Sequence, residues 1–495
     1  MKILLELRPA LDGHAGIPQE TRLLFRGLST LDGMAVEGLL QSSNRVVARG
    51  LPHPDSAAYR RLSIDQRIHR LARVVISLRA SEKPSIGERL GDALRNLLAP
   101  TALTARAALG LREPLGVFEG AQFQDFVWRD LFARTLPVAD LPTVAGARMR
   151  VARVPWNLAH AIGLLTRRLG GPLYPRLDTR GFDVMVAETP YPGRVTAGTR
   201  LVVRYHDAIP MLMPHTITDK SFHQAAHYHA LARNVADGAW FACVSEATRR
   251  DLLKVFPQVE ARCVTLHNMV SHHYSPESTS AGRLFEIVRT RRNPQIKGAE
   301  ADALRWIGPG HQYLLMVSTL EPRKNHATLL AAWEQLRLER YPELKLLIVG
   351  SLGWDHGSIV ARFRPWLASG DVQMLESVPA AELRLLYHHT AATVCPSLGE
   401  GFDFSGVEAM RCGGAVVASD IPVHREIFGD AAAYFDTYSP ADLARAVEAV
   451  IDPAAPELRR TLVGAGERVS QAYLPERVLP QWQSFLTQLQ APGPH

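Results

Sequence analysis

Two doubly wound α/β domains, their parallel sheets facing each other across a cleft, are the fold class this sequence predicts. Three observations carry it. At 495 residues the chain is too long for one hydrophobic core. Short apolar runs alternate with amphipathic stretches, the signature of parallel strands joined by crossover helices. That alternation occurs twice, broken by a polar stretch between "SHHYSP" and about residue 310.

In the first half, strands are expected at 2–7, 34–40, 182–188, 201–206, 239–245 and 262–267, with helices between most of them. Residues 50–180 break this rhythm with helical, Arg-rich and Pro-bounded segments. They are read as a helical basic insertion in a first domain spanning 1–270. Residues 271–310 are read as a linker. The alternation restarts with "YLLMVST", "LKLLIVGS", "VQMLES", "AATVCPS", "AVVAS" and "AAYFD", which gives a second domain over 311–475. Segments 439–450, 455–472 and 475–491 look helical, and residues 476–495 form a closing helix. Open parallel sheets bind ligands beyond the carboxyl ends of their strands, so the cleft is the expected site.

Composition fits a globular protein, with 46% hydrophobic and 21% charged residues. Cys243, Cys263, Cys395 and Cys412 are widely spaced, lack metal-ligand spacing and read as reduced core thiols of a cytoplasmic protein. "MKILLELRPA" suits a first strand better than a signal peptide, and no uncharged run approaches the roughly 18–20 residues of a spanning helix. The net charge of +7 is concentrated: residues 60–112 hold eleven Lys/Arg against four Asp/Glu. There Ile68, Leu71, Val75 and Leu78 recur at helical spacing among Arg67, Arg70, Arg73 and Arg79. Such a basic amphipathic helix either packs on its own domain with arginines in water or lies peripherally on an anionic membrane. Nucleic acid is not expected, because stacking aromatics are nearly absent from the segment.

The residues suited to chemistry cluster at strand ends. "STLEPRKNHATLLAAW" puts Arg323 and Lys324 in a turn before a helix, where two cations suit a diphosphate; a solvated Arg-Lys turn is the plain alternative. "LGEGFDFSGVEAM" places Glu400 and Glu408 eight positions apart. Glycosidase carboxyls sit roughly 5–9.5 Å apart, whereas two helical residues at this spacing would be about 12 Å apart along the axis. Glu400 is therefore expected in the loop and Glu408 inside the helix, reaching opposite ends of one elongated ligand. Gly399 and Gly401 let the backbone approach that ligand, and the amides of Asp403 and Phe404 are candidates to face it.

At this point the residues resemble the retaining family-4 glycosyltransferases of the GT-B fold. "STLEPRKNHATLL" followed by "PSLGEGFDFSGVEAMRCGGAVVASDIPVHREIFGDAAAYFD" carries the likeness across the second domain and, more weakly, both ends of the first, but not 50–180. The resemblance implies Rossmann-like domains, with the nucleotide-sugar donor held by Arg323, Lys324, Glu400, Gly401, Phe402, Asp403, Phe404 and Glu408. Glu400 would hold the sugar hydroxyls, Glu408 the ribose, and Arg323 and Lys324 the diphosphate. No metal or cofactor is then required, the nucleotide diphosphate sugar being a co-substrate. In the first domain, "DGHAGIPQETRLLFRGL" is similar to the family's glycine loop, with Gly13 and Gly16 facing phosphates and acceptor. "VVRYHDAIPMLMP" is similar to its cleft-histidine segment, which implies a catalytic role for His206. "ACVSEATRRDLL" makes Ser245 a helix N-cap or a phosphate contact, with Arg249 inside. Asn268 in "VTLHNMV" is read as hinge or turn chemistry. Departures from the family pattern at Asp403, Phe404 and Ser405 bear on which sugar is carried.

The implied activity is hexosyl transfer, of mannose or rhamnose, onto a growing glycan or lipid-linked glycan in bacterial surface polysaccharide synthesis such as lipopolysaccharide O-antigen. Two other readings stay open: a nucleotide-sugar epimerase of the same architecture, and a non-catalytic nucleotide-sugar-binding module at the membrane.

Overall fold

The computed structural model describes residues 1–490 without 12, 14–15, 80–99, 169–170, 278–281 and 297–311. The first sheet has eight strands. From edge to edge they are Cys263–Thr265, Trp240–Cys243, Arg200–Tyr205, Val184–Ala187, Lys2–Glu6, Ala35–Leu40, Arg148–Val151 and Gly116–Glu119. Neighbours pair in parallel except the last two. The second sheet has six strands, all parallel: Val372–Leu375, Lys345–Val349, Tyr313–Val317, Ala392–Cys395, Val416–Ser419 and Ala432–Phe435. Strands covered on both faces need apolar side chains on both. Leu346, Leu347 and Ile348 are consecutive and wholly buried, as a doubly wound sheet requires.

Every strand expected from the apolar runs is present within two residues of its expected ends. The insertion is not wholly helical. Gly116–Glu119 and Arg148–Val151 come from within 50–180 and extend the main sheet, the outermost pair turning antiparallel. Their sequences, "GVFE" and "RMRV", are too short and too polar to read as strands. The 271–310 stretch is likewise more than a linker. Gly282–Thr290 is a helix whose Leu284, Ile287 and Val288 sit in the second lobe's core beside Leu315 and Leu347. Arg291 then forks onto Glu382 with two 2.6 Å bonds.

The closing helix, Pro475–Gln490, returns to the first lobe. Val478, Leu479, Trp482, Phe485, Leu486 and Leu489 recur at helical spacing and are buried in that lobe's core. Each aliphatic there contributes about 1.5–3 kcal/mol of burial. Gly27 permits the approach, since a Cβ at that position would lie 2.6 Å from Leu479. The closing helix thus brings the chain back to the lobe that holds the strand Lys2–Glu6.

The basic helix is Ile64–Leu78, started by a capping box between Ser63 and Gln66. Leu71, Val74 and Val75 pack into the first-lobe core, while Ile68 is 42% exposed. Arg67 stacks over Tyr59 at 4.0 Å, and Arg79 forks onto Asp130 at 2.6 and 3.0 Å. Residues 80–99 of the basic stretch lie outside the described residues.

Candidate active site

Two loops at strand carboxyl ends build the second-lobe side. The loop after Tyr313–Val317 turns through Pro322–Lys324 into the left-handed Asn325, where the helix His326–Glu339 starts. The loop after Ala392–Cys395 carries Glu400. Its carboxylate accepts from Lys324 Nζ at 2.5 Å and from Arg323 Nη1 at 2.7 Å. Arg323 also donates to the Gly399 carbonyl at 2.8 Å and to Glu321 at 2.7 Å. Burial alone would raise the Glu400 carboxyl, but Arg323 and Lys324 overcome it and hold the group below the usual carboxylate range. The expected phosphate cations and the expected sugar-binding carboxylate are therefore one buried ion cluster, not a solvated turn.

Glu408 is the fifth residue of the helix Phe404–Arg411, as the spacing predicts, and is 3% exposed. Gln19 Nε2, from the first turn of Ile17–Leu28, donates to one of its oxygens at 2.7 Å; the Tyr387 hydroxyl donates to the other at 3.0 Å. Burial pushes this carboxyl up to about 7, against the hydrogen bonds from Gln19, Tyr387 and Tyr274. A hollow of about 170 Å³ lies here, lined by Gly16, Lys324, Phe402, Phe404 and Glu408 among others. Asp403 also lines it, but its carboxylate caps its own helix, accepting from Ser405 N at 2.9 Å, and lies 3.2 Å from His424. Its side chain is thereby committed to the fold, and only its backbone is left for a ligand.

On the first-lobe side, His206 follows the strand Arg200–Tyr205. Gly401 packs against it so closely that a Cβ would lie 1.6 Å from the His206 carbonyl oxygen. Only glycine fits, and the contact brings Glu400's loop to the cleft histidine. Burial first, and Arg204 second, lower the His206 imidazole to about 4. Its Nε2 lies 3.5 Å from Glu188, a wholly buried carboxyl that burial pushes up to about 8. Behind them Arg204, fully buried, pairs with Glu20 at 2.9 Å and donates to Asn268 Oδ1 at 2.7 Å. Asn268 therefore holds a buried guanidinium instead of making a turn. Beyond His206 opens a second hollow of about 220 Å³, lined by Trp156, His160, Asp207, His223 and His227 among others.

Ser245 is the N-cap of Glu246–Val255, accepting from Thr248 N at 3.0 Å, and is fully buried. Its hydroxyl is thus engaged as the cap, and the neighbouring amides are engaged as well. The free amides of that helix start, Glu246 and Ala247, already donate to Glu426 of the second lobe at 2.6 and 2.7 Å. Arg249 donates to Glu246 at 3.1 Å and to the Cys263 carbonyl at 3.3 Å. Gly13 and Gly16 both have positive φ, at 51° and 71°. Gly16 caps the helix and lines the Glu408 hollow, whereas the Gly13 carbonyl accepts from Arg22 at 2.9 Å.

Sequence reasoning missed Gln19, Tyr274, Tyr387, Glu188 and Glu426. Glu188 stands directly after the strand Val184–Ala187, where a carboxylate at a carboxyl end was a signal to follow. Glu426 lies in the amphipathic "PVHREIF" with nothing to set it apart.

With this geometry in place, three comparisons agree. Residues 307–469 match the family described as "Glycosyl transferases group 1". A serotype-specific mannosyltransferase, WbdA, of Escherichia coli is 39% identical over 136 residues, 27% of this chain and 16% of that protein. The O-antigen chain mannosyltransferase B of Escherichia coli is 31% identical over 188 residues, 38% of this chain and 45% of that one. The chain therefore spans less than half the length of these curated relatives. Sucrose-phosphate synthase from Thermosynechococcus elongatus superimposes with a TM-score of 0.58 over 99% of both chains at 14% identity, a likeness of fold. The chain thus has the two-sheet GT-B fold, and its residues 307–469 match the glycosyl transferases group 1 family.

Proposed function

We propose that the chain is a retaining glycosyltransferase that moves a hexose, mannose or rhamnose, from a nucleotide diphosphate sugar to a hydroxyl of a growing O-antigen-type glycan, free or lipid-linked. The observation that carries this reading is the seating of Gly401 on His206, which sets the Glu400 cluster and the histidine on opposite sides of one cleft. Arg323 and Lys324 release Glu400 to the sugar hydroxyls as they take up the diphosphate, and Glu408 takes the ribose diol. The bond from the anomeric carbon to the diphosphate breaks as the acceptor oxygen bonds on the same face. The acceptor proton passes to the departing phosphate oxygen. His206, neutral near pH 7, offers a hydrogen bond to the transferred sugar. Positioning and charge stabilisation do the work, and two side-chain cations stand where a metal would otherwise balance the leaving group.

The reading includes peripheral contact with an anionic membrane on its cytoplasmic side through residues 60–112. Ile64, 73% exposed beside Arg60 and Arg61, supports it. Co-sedimentation with anionic against neutral vesicles tests this, and equal sedimentation with both discards it.

Thermal-shift screening of guanosine, uridine and thymidine diphosphate sugars tests the main proposal. A cleft ligand at a hundred times its dissociation constant adds about 2.7 kcal/mol. Product formed with retained anomeric configuration from one donor and a glycan acceptor is the expected result. Release of an altered sugar without acceptor would mean epimerisation instead, and no stabilisation by any nucleotide sugar would end the reading.

A further inference from the structure

Two adjoining grooves on the first lobe are lined by arginines that the proposed transfer does not use. The outer groove, about 640 Å³, is bordered by residues 46–49 and one flank of Ile64–Leu78; Arg49, Arg70, Arg73 and Arg153 line it. Among the described residues, none of these four guanidinium groups has an ion-pair or hydrogen-bond partner. The inner groove, about 410 Å³, continues along the same two segments. Arg45 follows on from Val46, Leu78 from Ser77, and the Ala48 amide ties the walls together through Ser77 Oγ at 3.0 Å. Of its four arginines, Arg8 pairs with Glu6 and Arg79 with Asp130. Arg45 and Arg134 meet only carbonyl oxygens, at 3.0 and 3.4 Å.

Arg134 also lines the hollow that holds Lys324 and Glu408. Arg134 is thus common to the inner groove and the donor cleft, and the outer groove adjoins the inner one along the same two segments. Along them the lone lining carboxylate among the described residues is Asp130, and Arg79 already engages it. Clustered like charges repel, and folding gains nothing from leaving six guanidinium groups without a carboxylate. Planar guanidinium forks match carboxylate and phosphate oxygens, so the arrangement suits a ligand with several such groups along its length. A concave channel fits a chain, whereas a membrane offers a plane. Ile76, 70% exposed in the outer groove, adds an apolar surface for a ring face.

We propose that these grooves form a track for an acidic acceptor, a saccharide chain carrying carboxylate or phosphate groups, which feeds its growing end past Arg134 into the cleft. The proposal rests on the glycosyl-transfer reading above.

The test uses the full chain and a triple variant, Arg49→Gln, Arg73→Gln and Arg153→Gln, all exposed and outside the donor cleft. Fluorescence anisotropy would follow labelled tetragalacturonate and a phosphorylated mannan fragment, with neutral mannotetraose as control, at two salt concentrations. Wild type should bind one or both acidic probes in a salt-dependent way and ignore the neutral one; which acidic probe binds distinguishes carboxylate from phosphate. The variant should lose at least tenfold in that affinity while its nucleoside-diphosphate binding stays unchanged. Acidic-probe binding that survives the triple variant overturns the track. So does equal or tighter binding of a single-stranded DNA oligomer of matched charge, or a variant effect seen only with anionic vesicles. Absence of nucleotide binding in wild type, by contrast, would strike the transfer reading and leave the track to its own arms.

Discussion

The two sides of the cleft each bury a carboxyl group, and the chain treats them in opposite ways. Glu400, on the second-lobe side, lies between Arg323 and Lys324 at 2.7 and 2.5 Å and is held ionised. Glu188, on the first-lobe side, faces an imidazole at 3.5 Å that is itself neutral above pH 4, and burial drives its own carboxyl up to about 8. The same residue type under similar burial is thus an anion on one side and a proton holder on the other. What differs is the partner. Two cations at hydrogen-bond distance offset the cost of desolvating a carboxylate, and a neutral ring does not. One side thus holds its carboxylate between two cations, and the other sets its carboxyl beside an uncharged ring.

The largest effect should come from removing the cations. Arg323→Ala with Lys324→Ala leaves Glu400 buried and unpaired, so turnover should fall at least a thousandfold and stability by about 3–5 kcal/mol. These side chains are only 14% and 18% exposed, so the fold is not indifferent to them as it would be to a surface pair. Adding Glu400→Gln should return most of the stability and none of the turnover, read by urea denaturation and a transfer assay. Stability that fails to return would show that Glu400 is not what the cations compensate.

Glu188→Gln sharpens the other side through pH. Because the folded carboxyl titrates near 8 and the unfolded one near 4.5, the folded state binds more protons between them, and stability must fall as pH rises through that window. His206 acts in the opposite sense, costing stability as pH falls from 6.5 toward 4. Glu408, raised to about 7, shares the sign of Glu188 but is largely spent above pH 7. Between pH 7 and 8 wild type should therefore lose up to about 1.4 kcal/mol per unit relative to the variant. Parallel wild-type and variant curves in denaturant at pH 7.0, 7.5 and 8.0 would mean that Glu188 is ionised throughout.

Why one side of this comparison was legible in sequence and the other was not follows from chain distance. Arg323 and Lys324 share a turn, and Glu400 and Glu408 share a loop and a helix, so their spacing alone fixes what they can reach. The strands of the second sheet are largely apolar runs such as "YLLMV", which admit one reading. The first-lobe cluster is assembled from Glu20, Glu188, Arg204, His206 and Asn268, of which only Arg204 and His206 are near one another in the chain. His206 stood out there, and Asn268 only as a turn residue. Sheet pairing brings those residues together, and nothing local announces it. The two strands within 50–180 were hidden for a different reason. They lie at the margin of the sheet, where less apolar surface is needed, and Arg150 on the inner of the two pairs with Glu37 at 2.5 Å instead of packing into the core.

A smaller effect should separate the two ends of the donor. Glu408→Gln should cost roughly ten- to a hundredfold in affinity for nucleoside diphosphate at pH 8, the value of a lost charge-assisted hydrogen bond of about 1.5–3 kcal/mol. Glu400→Gln should spare the bare nucleotide and reduce transfer. In wild type, nucleotide affinity should climb as pH rises through about 7, because the ionised Glu408 accepts both ribose hydroxyls, and the Gln variant should flatten that climb. Equal losses of bare nucleotide in both variants by calorimetry would refute the two-ended arrangement.

The smallest expected effect tests how the lobes meet. Gln19 reaches across from the first lobe to occupy one oxygen of Glu408 at 2.7 Å, the oxygen pair assigned to the ribose. A ligand entering there must displace an amide that is already well placed. The contact also ties the lobes together, beside the bonds of Glu426 to the amides of Glu246 and Ala247. Gln19→Ala therefore removes a competitor and a fastener at once. The competitor outweighs the fastener, because the Glu426 bonds remain and one neutral donor contributes only about 0.5–1.5 kcal/mol. Nucleoside-diphosphate affinity should rise two- to tenfold, with a lowered midpoint of thermal unfolding of a degree or two. A fall in affinity by the same measure would make Gln19 a ligand contact in its own right, which turns from Glu408 to the nucleotide when the cleft fills.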